Sequence, residues 1–158
     1  MTLRINSRGS QVTRLQAELK AIDAVKNKAQ LTKLIAAMHA RGIPVFFGIG
    51  SQQDFADSSK MIGALDQAGL GLPDRDYYSK AEGKFPELRK KYEAHIAAML
   101  KLVGSKNPEA DAKEVMALET ELAAAQMSKE DRRDPKKIYH LTPRADLTKI
   151  APDFAWDT

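Results

Sequence analysis

Gln53–Tyr78, QDFADSSKMIGALDQAGLGLPDRDYY, is the stretch that decides how this chain folds. Just before it Val45, Phe47 and Ile49 alternate with smaller residues, and inside it Met61, Gly63 and Leu65 do the same. Alternation with period two is the pattern of short, half-buried strands. The polar, turn-rich SQQDFADSS between them predicts a β-hairpin with a long loop, its strands at about 44–50 and 59–66. AGLGLP then supplies two glycines, whose backbones can take angles closed to other residues. Pro73 and Asp74 open a short helical turn, with Asp74 as the expected N-cap. The block yields a shaped connector and no chemistry.

On either side of it the pattern is helical. Val12, Leu15, Leu19, Ile22 and Val25 recur at spacings of three and four, predicting one amphipathic helix over 11–26, with Asn27 interrupting or recapping it. Leu31, Leu34, Ile35 and Met38 predict a second, stopped by Gly42 and by Pro44 beyond it. Over 84–103 the stripe Phe85, Leu88, Tyr92, Ile96, Met99 and Val103 follows Pro86 in the first turn and ends at Gly104. Asn107 and Pro108 then make a second N-cap and first turn, for a helix to about Gln126 that turns Val115, Leu118 and Leu122 inward. DRRDPKK, Asp131–Lys137, reads as a charged loop. Thr142 and Pro143 open a short helix through Leu147 and Ile150, which Pro152 ends. The fold class is therefore mainly α, a helical bundle-like piece with one β-hairpin.

Composition narrows the function by exclusion. With 25 basic and 21 acidic residues the net charge is +4, a modest excess spread along the chain, and no basic motif with interleaved aromatics points to nucleic acid. The absence of cysteine removes disulfides, thiolate metal sites and cysteine nucleophiles, and leaves the redox compartment undetermined. No apolar run approaches the roughly 20 residues that cross a bilayer, and MTLRINSRGSQVTRLQ lacks the apolar core of a signal peptide. PDFAWDT carries Phe154 and Trp156, large groups that need a partner surface, either missing sequence or the helices of this chain itself.

His39, His95 and His140 form no H-E-x-x-H and no pair at helical spacing, so no zinc ligation is signalled. His39 reads as a helix-end residue, His95 as a boundary residue beside the apolar stripe, and His140 as a loop residue. Glu119 and Glu121 on the long helix, with Glu130, Asp131, Asp134, Arg132 and Arg133 in the loop after it, read as structural ion pairs. A sharper expectation is that Glu119 holds one of the two arginines and fixes that loop. Ser58 and Ser59 lack a neighbouring base. GLGLP lacks the lysine of a phosphate loop. Tyr77 and Tyr78 read as sealing a core edge. No catalytic, cofactor-binding or metal residue is expected.

These residues nevertheless resemble a family. QDFADSSKMIGALDQAGLGLPDRDYY is similar to the corresponding segment of neprilysin-type zinc metallopeptidases, which include endothelin-converting enzymes and bacterial oligopeptidases. The resemblance continues through FPELRKKYEAHIAAMLKLVG, VMALETELA, EDRRDPKKIYHLT and FAW, and reaches back through LQAELKAIDAVKNKAQLTKLIAAMH, covering about Leu15–Trp156. L-G-L-P-x-R-D-Y-Y (Leu70–Tyr78) together with E-D-R-x-D-P (Glu130–Pro135) is its specific core. His140 and Pro143 stand where the family often has Asn and a non-proline residue. Residues 1–11 do not resemble what precedes this segment in the family. LRINSRGSQVTRLQAEL is instead weakly similar to the start of a peptidoglycan-binding repeat, through Leu3, Gly9, Val12, Leu15, Gln16 and Leu19.

The resemblance implies two mainly helical domains around a chamber, with zinc ligands, catalytic glutamate and an Asn-Ala-Tyr substrate segment lying beyond the matched portion. On that basis residues 1–11 are an atypical N-terminal segment. Residues 12–158 are part of the non-catalytic N-terminal cap of a zinc metalloendopeptidase acting on oligopeptides. Zinc and peptide belong to the full enzyme, and the absent catalytic domain is the implied partner. Bacterial relatives are implied to be periplasmic, secreted or membrane-anchored, whereas the compartment of this chain is not readable. The chain lacks H-E-x-x-H and is expected to be inactive alone. The rival is a free-standing helical protein-interaction module, and a fainter one is a peptidoglycan-binding module.

Overall fold

The computed structural model describes residues 7–154 and 156, with side chains from Leu15 onward. The segment 1–11 therefore lies largely outside the described residues, as do Leu3 and the side chain of Val12. The chain divides into two compact units, Pro44–His140 and the pair Met1–Ile43 with Leu141–Thr158.

In the unit formed by the two ends, α1 (Ser7–Asp23) and α2 (Lys28–His39) flank Asn27, whose side chain accepts the Gln30 N–H at 3.0 Å. Asn27 thus recaps the chain as expected. Gly42, at φ +76°, ends α2: its N–H reaches the His39 carbonyl and the Ile43 N–H reaches Met38, a Schellman closure. Ile35 and Thr32 are the buried residues of α2, Thr32 returning its hydroxyl to the Lys28 carbonyl at 2.9 Å. The inward stripe expected of α1 is only partly buried: Leu19 and Val25 are half-buried, while Leu15 and Ile22 stay exposed. Arg41 grips Glu18 with its two terminal guanidinium nitrogens, and its own pKa is raised by that hydrogen bond. A three-residue 3-10 turn at Arg144–Asp146 leads into α7 (Leu147–Ile150), after which the Trp156 indole N–H donates to the Ala151 carbonyl at 3.1 Å. Phe154 packs on the Trp156 ring at 4.6 Å between centroids.

The central unit begins with the hairpin, β1 (Phe47–Gln53) antiparallel to β2 (Met61–Gln67), in register from Phe47 opposite Gln67 to Gln53 opposite Met61. The strands lie later than alternation suggested, because polar Ser51–Gln53 remain paired opposite Gly63–Met61. The half-buried expectation also fails on one face. Ile49, Met61 and Leu65 are exposed, while Ile62, Ala64 and Gln67 are the half-buried residues of β2. Asp54 closes the loop by accepting the Ala56 N–H at 2.9 Å and the Tyr139 hydroxyl at 2.7 Å. These bonds, Tyr139 first, hold its pKa below the usual carboxylate value.

Helices α3 (Asp76–Ser79), α4 (Phe85–Leu102) and α5 (Pro108–Ala125) form the core of this unit. Tyr78, Ile96, Ala112, Met116 and Ala123 are its buried residues, with Leu70, Leu72, Tyr92, Leu100 and Val115 packed around them. Gly104, at φ +90°, terminates α4 through the Ser105 N–H to Leu100. Three local expectations change. Met99 and Val103 at the end of the α4 stripe are exposed. Leu118 is exposed too, because the inward row of α5 is Ala112, Met116 and Ala123. Asn107 occupies the N-cap position without a side-chain bond, and its N–H is instead taken by the Ser105 hydroxyl at 3.1 Å. The charged loop is ordered as a 3-10 turn, Asp131–Arg133, followed by α6 (Pro135–Ile138), which Asp134 caps through the Lys136 N–H at 3.0 Å.

Candidate functional site

Glu119 lies at the point of α5 where a helix of period 3.6 must face inward, three residues past Met116 and four before Ala123. A carboxylate there needs partners, because burying an uncompensated charge is costly. It finds three. One oxygen accepts the Tyr78 hydroxyl and the Gly71 N–H (3.2 Å), and the other accepts the Tyr92 hydroxyl at 3.0 Å. The Tyr78 oxygen in turn accepts the Leu72 N–H at 2.9 Å. Gly71 is required by this geometry: a Cβ built there would sit 1.6 Å from the Tyr92 oxygen. At Gly69 φ is +86° and a Cβ would lie 2.9 Å from the Cα of Phe46, itself at φ +64°. The two glycines of the connector thus serve different ends, close approach of a side chain at Gly71 and a left-handed turn against backbone at Gly69.

The electrostatics follow. Burial first, then the bond to Glu119, raises the pKa of Tyr78 well above that of an ordinary phenol, and the same causes push Tyr92 up to about 12. Neither phenol is poised to give up a proton near neutrality, and the Glu119 oxygens are occupied as acceptors. The cluster is a clamp joining the glycine connector, α3, α4 and α5.

Beside it lies a depression of about 190 Å³ bordered by Leu72, Pro73, Asp74, Gln126, Lys129 and Arg132 among others. Its polar groups bind each other. Asp74 pairs with Lys129 at 2.7 Å and accepts the Asp76 N–H at 2.8 Å from one residue before the N-cap position of α3, which Arg75 holds in place of the expected Asp74. Burial would raise the Asp74 pKa, but Lys129 and that N–H outweigh it and lower the value. Arg75 donates to the Gln126 carbonyl at 2.7 Å, the Gln126 side chain donates to Ala68 at 2.9 Å, and Gln67 accepts the Met127 N–H at 2.8 Å. Arg89 reaches back from α4 to the carbonyls of Tyr77 and Lys80, both at 2.8 Å.

The expectation that Glu119 holds Arg132 or Arg133 is thereby corrected. Arg132 pairs with Asp66 at 2.6 Å, and Glu119 is committed to two tyrosines and a backbone N–H. Asp131 pairs with Lys137 and takes the Ser128 hydroxyl at 2.9 Å, the ion pairing expected of that loop. Glu121 and Glu130 are exposed. Ser59 donates to Asp57 at 2.6 Å within the hairpin loop. Of the expected tyrosine pair, Tyr78 is buried and Tyr77 stacks edge-on against Phe85 at 5.2 Å. His39 closes α2, His95 is exposed on α4 and His140 is exposed after α6. Sequence reading passed over Tyr92, Gly71, Arg75 and Arg89 as partners. The available signal was the 112–116–119–123 spacing, which puts Glu119 in the buried row.

Comparison with known proteins adds an independent observation. Residues 2–158 match the family model described as peptidase family M13, at its N-terminal region. The chain is 33% identical over 135 residues to endothelin-converting enzyme 1 of Homo sapiens, covering 83% of this chain and 17% of that protein. It is 30% identical over 137 residues to neprilysin-1 of Caenorhabditis elegans, covering 80% and 18%. Among solved structures it is similar to the Mycobacterium tuberculosis zinc metalloprotease Zmp1. With the inhibitor complex the TM-score is 0.79 at 30% identity, over 87% of this chain and 21% of that one. With the open state it is 0.82 at 30% identity, over 92% and 23%. The chain thus spans less than a quarter of the length of these proteins.

Proposed function

This chain belongs to peptidase family M13, and on that premise we propose that it is the non-catalytic wall or cap of the substrate chamber in a zinc metalloendopeptidase acting on oligopeptides. Residues 12–158 are assigned to that cap, with residues 1–11 as a separate leading segment. Its partner is a catalytic domain supplied by further polypeptide, which also brings the zinc and contacts the peptide. Zinc would act there as Lewis acid and activator of water. Among the described residues no three His, Asp or Glu side chains stand close enough to hold a metal, so no step is assigned to zinc on this chain.

The observation that carries the reading is the use made of the family-like block. Gly71, Leu72, Asp74, Arg75 and Tyr78 all direct their polar groups to Glu119, Gln126, Lys129 or one another, which is the chemistry of a fixed wall. The test is to purify the chain and measure zinc by atomic absorption and cleavage of a fluorogenic peptide library, with and without chelator. Sub-stoichiometric zinc and no chelator-sensitive cleavage are expected. Stoichiometric zinc, or cleavage that the chelator abolishes, would overturn the reading. An in-frame H-E-x-x-H in the coding DNA beyond Thr158 is the genetic counterpart.

A further inference from the structure

The hairpin has a self-complementary open edge. Among the described residues its sheet holds only two strands, so one side of β2 has no strand partner. The Asp54 N–H bonds the Lys60 carbonyl at 3.0 Å, so 54/60 is a hydrogen-bonded pair, and with the register running Gln53–Met61, Ser51–Gly63, Ile49–Leu65 the bonding pairs are the even-numbered ones. The backbone N–H and C=O groups of Met61, Gly63 and Leu65 therefore point to the outer edge. Met61 is 67% and Leu65 46% exposed, and nothing stands within 4 Å of a Cβ built on Gly63. Proteins guard such edges with charge, proline or a covering element. Between Met61 and Leu65 there is neither charge nor proline.

We propose that β2 pairs antiparallel with β2 of a second copy of this chain about a two-fold axis at Gly63, making a four-stranded sheet. The two-fold registers open to this edge are those that face odd residues with odd residues. Centring on Gly63 places Met61 opposite Leu65 of the partner copy, Ile62 opposite Ala64, and Lys60 opposite Asp66. Each apolar residue then meets an apolar residue, and the two flanking charges meet their opposites. Moving the axis to Ile62 faces Lys60 with Ala64, and moving it to Ala64 faces Asp66 with Ile62, so either neighbour loses the charge match. Glycine at the axis lets the two backbones meet without side-chain crowding. Lys60 and Asp66 are already paired with Asp57 (2.8 Å) and Arg132 (2.6 Å), both at exposed positions where an ion pair is readily shared or exchanged.

Sedimentation equilibrium of the full chain across a concentration series, with amide hydrogen exchange, tests this. A monomer–dimer equilibrium is expected, with protection at Met61, Gly63 and Leu65 that grows with concentration. Gly63→Pro removes an outward N–H while sparing the hairpin's own ladder, and is expected to weaken the dimer by about tenfold or more, since symmetry deletes two bonds. Should that variant unfold, charge exchange decides. Lys60→Asp weakens association, and adding Asp66→Lys restores it. A monomer at all concentrations, or a dimer indifferent to Gly63→Pro and to the charge exchange, overturns the proposal.

Discussion

Removing Glu119 separates a clamp from a decorative surface charge. In Glu119→Ala three donors lose their acceptor. The Tyr78 hydroxyl is the costliest, because Tyr78 is 5% exposed and water cannot replace a charge-assisted bond worth about 1.5–3 kcal/mol. The Gly71 N–H adds about 1 kcal/mol, and half-buried Tyr92 less, since water reaches it. The sum is about 3–4 kcal/mol, a fall of roughly 10 °C or more in the melting temperature of a domain this size. Glu119→Gln keeps the shape and one acceptor oxygen, and is expected to fall between the variant and the parent. The assay can localise the loss. All four tyrosines lie in Pro44–His140, whereas the single tryptophan, Trp156, lies in the other unit. Tyrosine near-ultraviolet dichroism should shift to lower temperature while the Trp156 emission transition moves less. If Glu119→Ala melts within about 0.5 kcal/mol of the parent, or if Trp156 reports the larger shift, the clamp is not what holds this unit together.

Four other outcomes follow from the same contacts. Gly71→Ala must displace the Tyr92 ring and is expected to cost about 1–3 kcal/mol by chemical denaturation, with the cost shrinking in a Tyr92→Ala background where the clash is gone. Alkali acts on the raised phenols. Their folded pKa values exceed the ordinary phenol value of 10.0, so their contribution is complete below pH 10 and is lost as pH rises through the folded value, about 12 for Tyr92. Tyrosinate absorbance should therefore rise late and together with unfolding. Asp74 works at the acid end: with its pKa lowered from 3.8, its contribution is present above that value and is lost as pH falls through the folded one, an effect Asp74→Asn should abolish in acid melts. Asn27→Ala deletes the α2 cap and should cost about 1 kcal/mol, read by Trp156.

The elements were legible where local chemistry alone sets them. Asn27, Gly42, Gly104 and Pro108 mark helix ends because cap and stop geometry depends on a few neighbouring residues. The strands were legible as strands and misplaced by one to three residues, since a polar strand end such as Ser51–Gln53 pairs through its backbone and leaves no hydrophobic trace. The inward face of β2 was read backwards for a related reason: burial depends on what packs on each face of the sheet, and the half-buried face is that of Ile62 and Ala64, not that of Met61 and Leu65. Glu119 was singled out correctly as a helix-edge carboxylate and assigned the wrong partner. Arg132 is nearer in sequence, yet Tyr78 and Tyr92, 41 and 27 residues away, are the groups that the fold brings to it.

That mistaken partner explains what the L-G-L-P-x-R-D-Y-Y block is for. A glycine connector has little side-chain surface with which to fix itself, so its position must be imposed through its backbone. Here the imposing groups come from every neighbour: Glu119 on α5 takes the Gly71 N–H, Tyr78 takes the Leu72 N–H, and the Gln126 side chain donates to the Ala68 carbonyl. Arg75 and Arg89 then bind carbonyls on either side of the turn, locking α3 between α4 and the end of α5. Glycine allows the approach, and tyrosine spans the distance back to the carboxylate. Arginine satisfies carbonyls that a four-residue helix leaves without partners. The block uses those residue types at that spacing for a mechanical reason: each one fixes the connector through its backbone or closes the turn beside it.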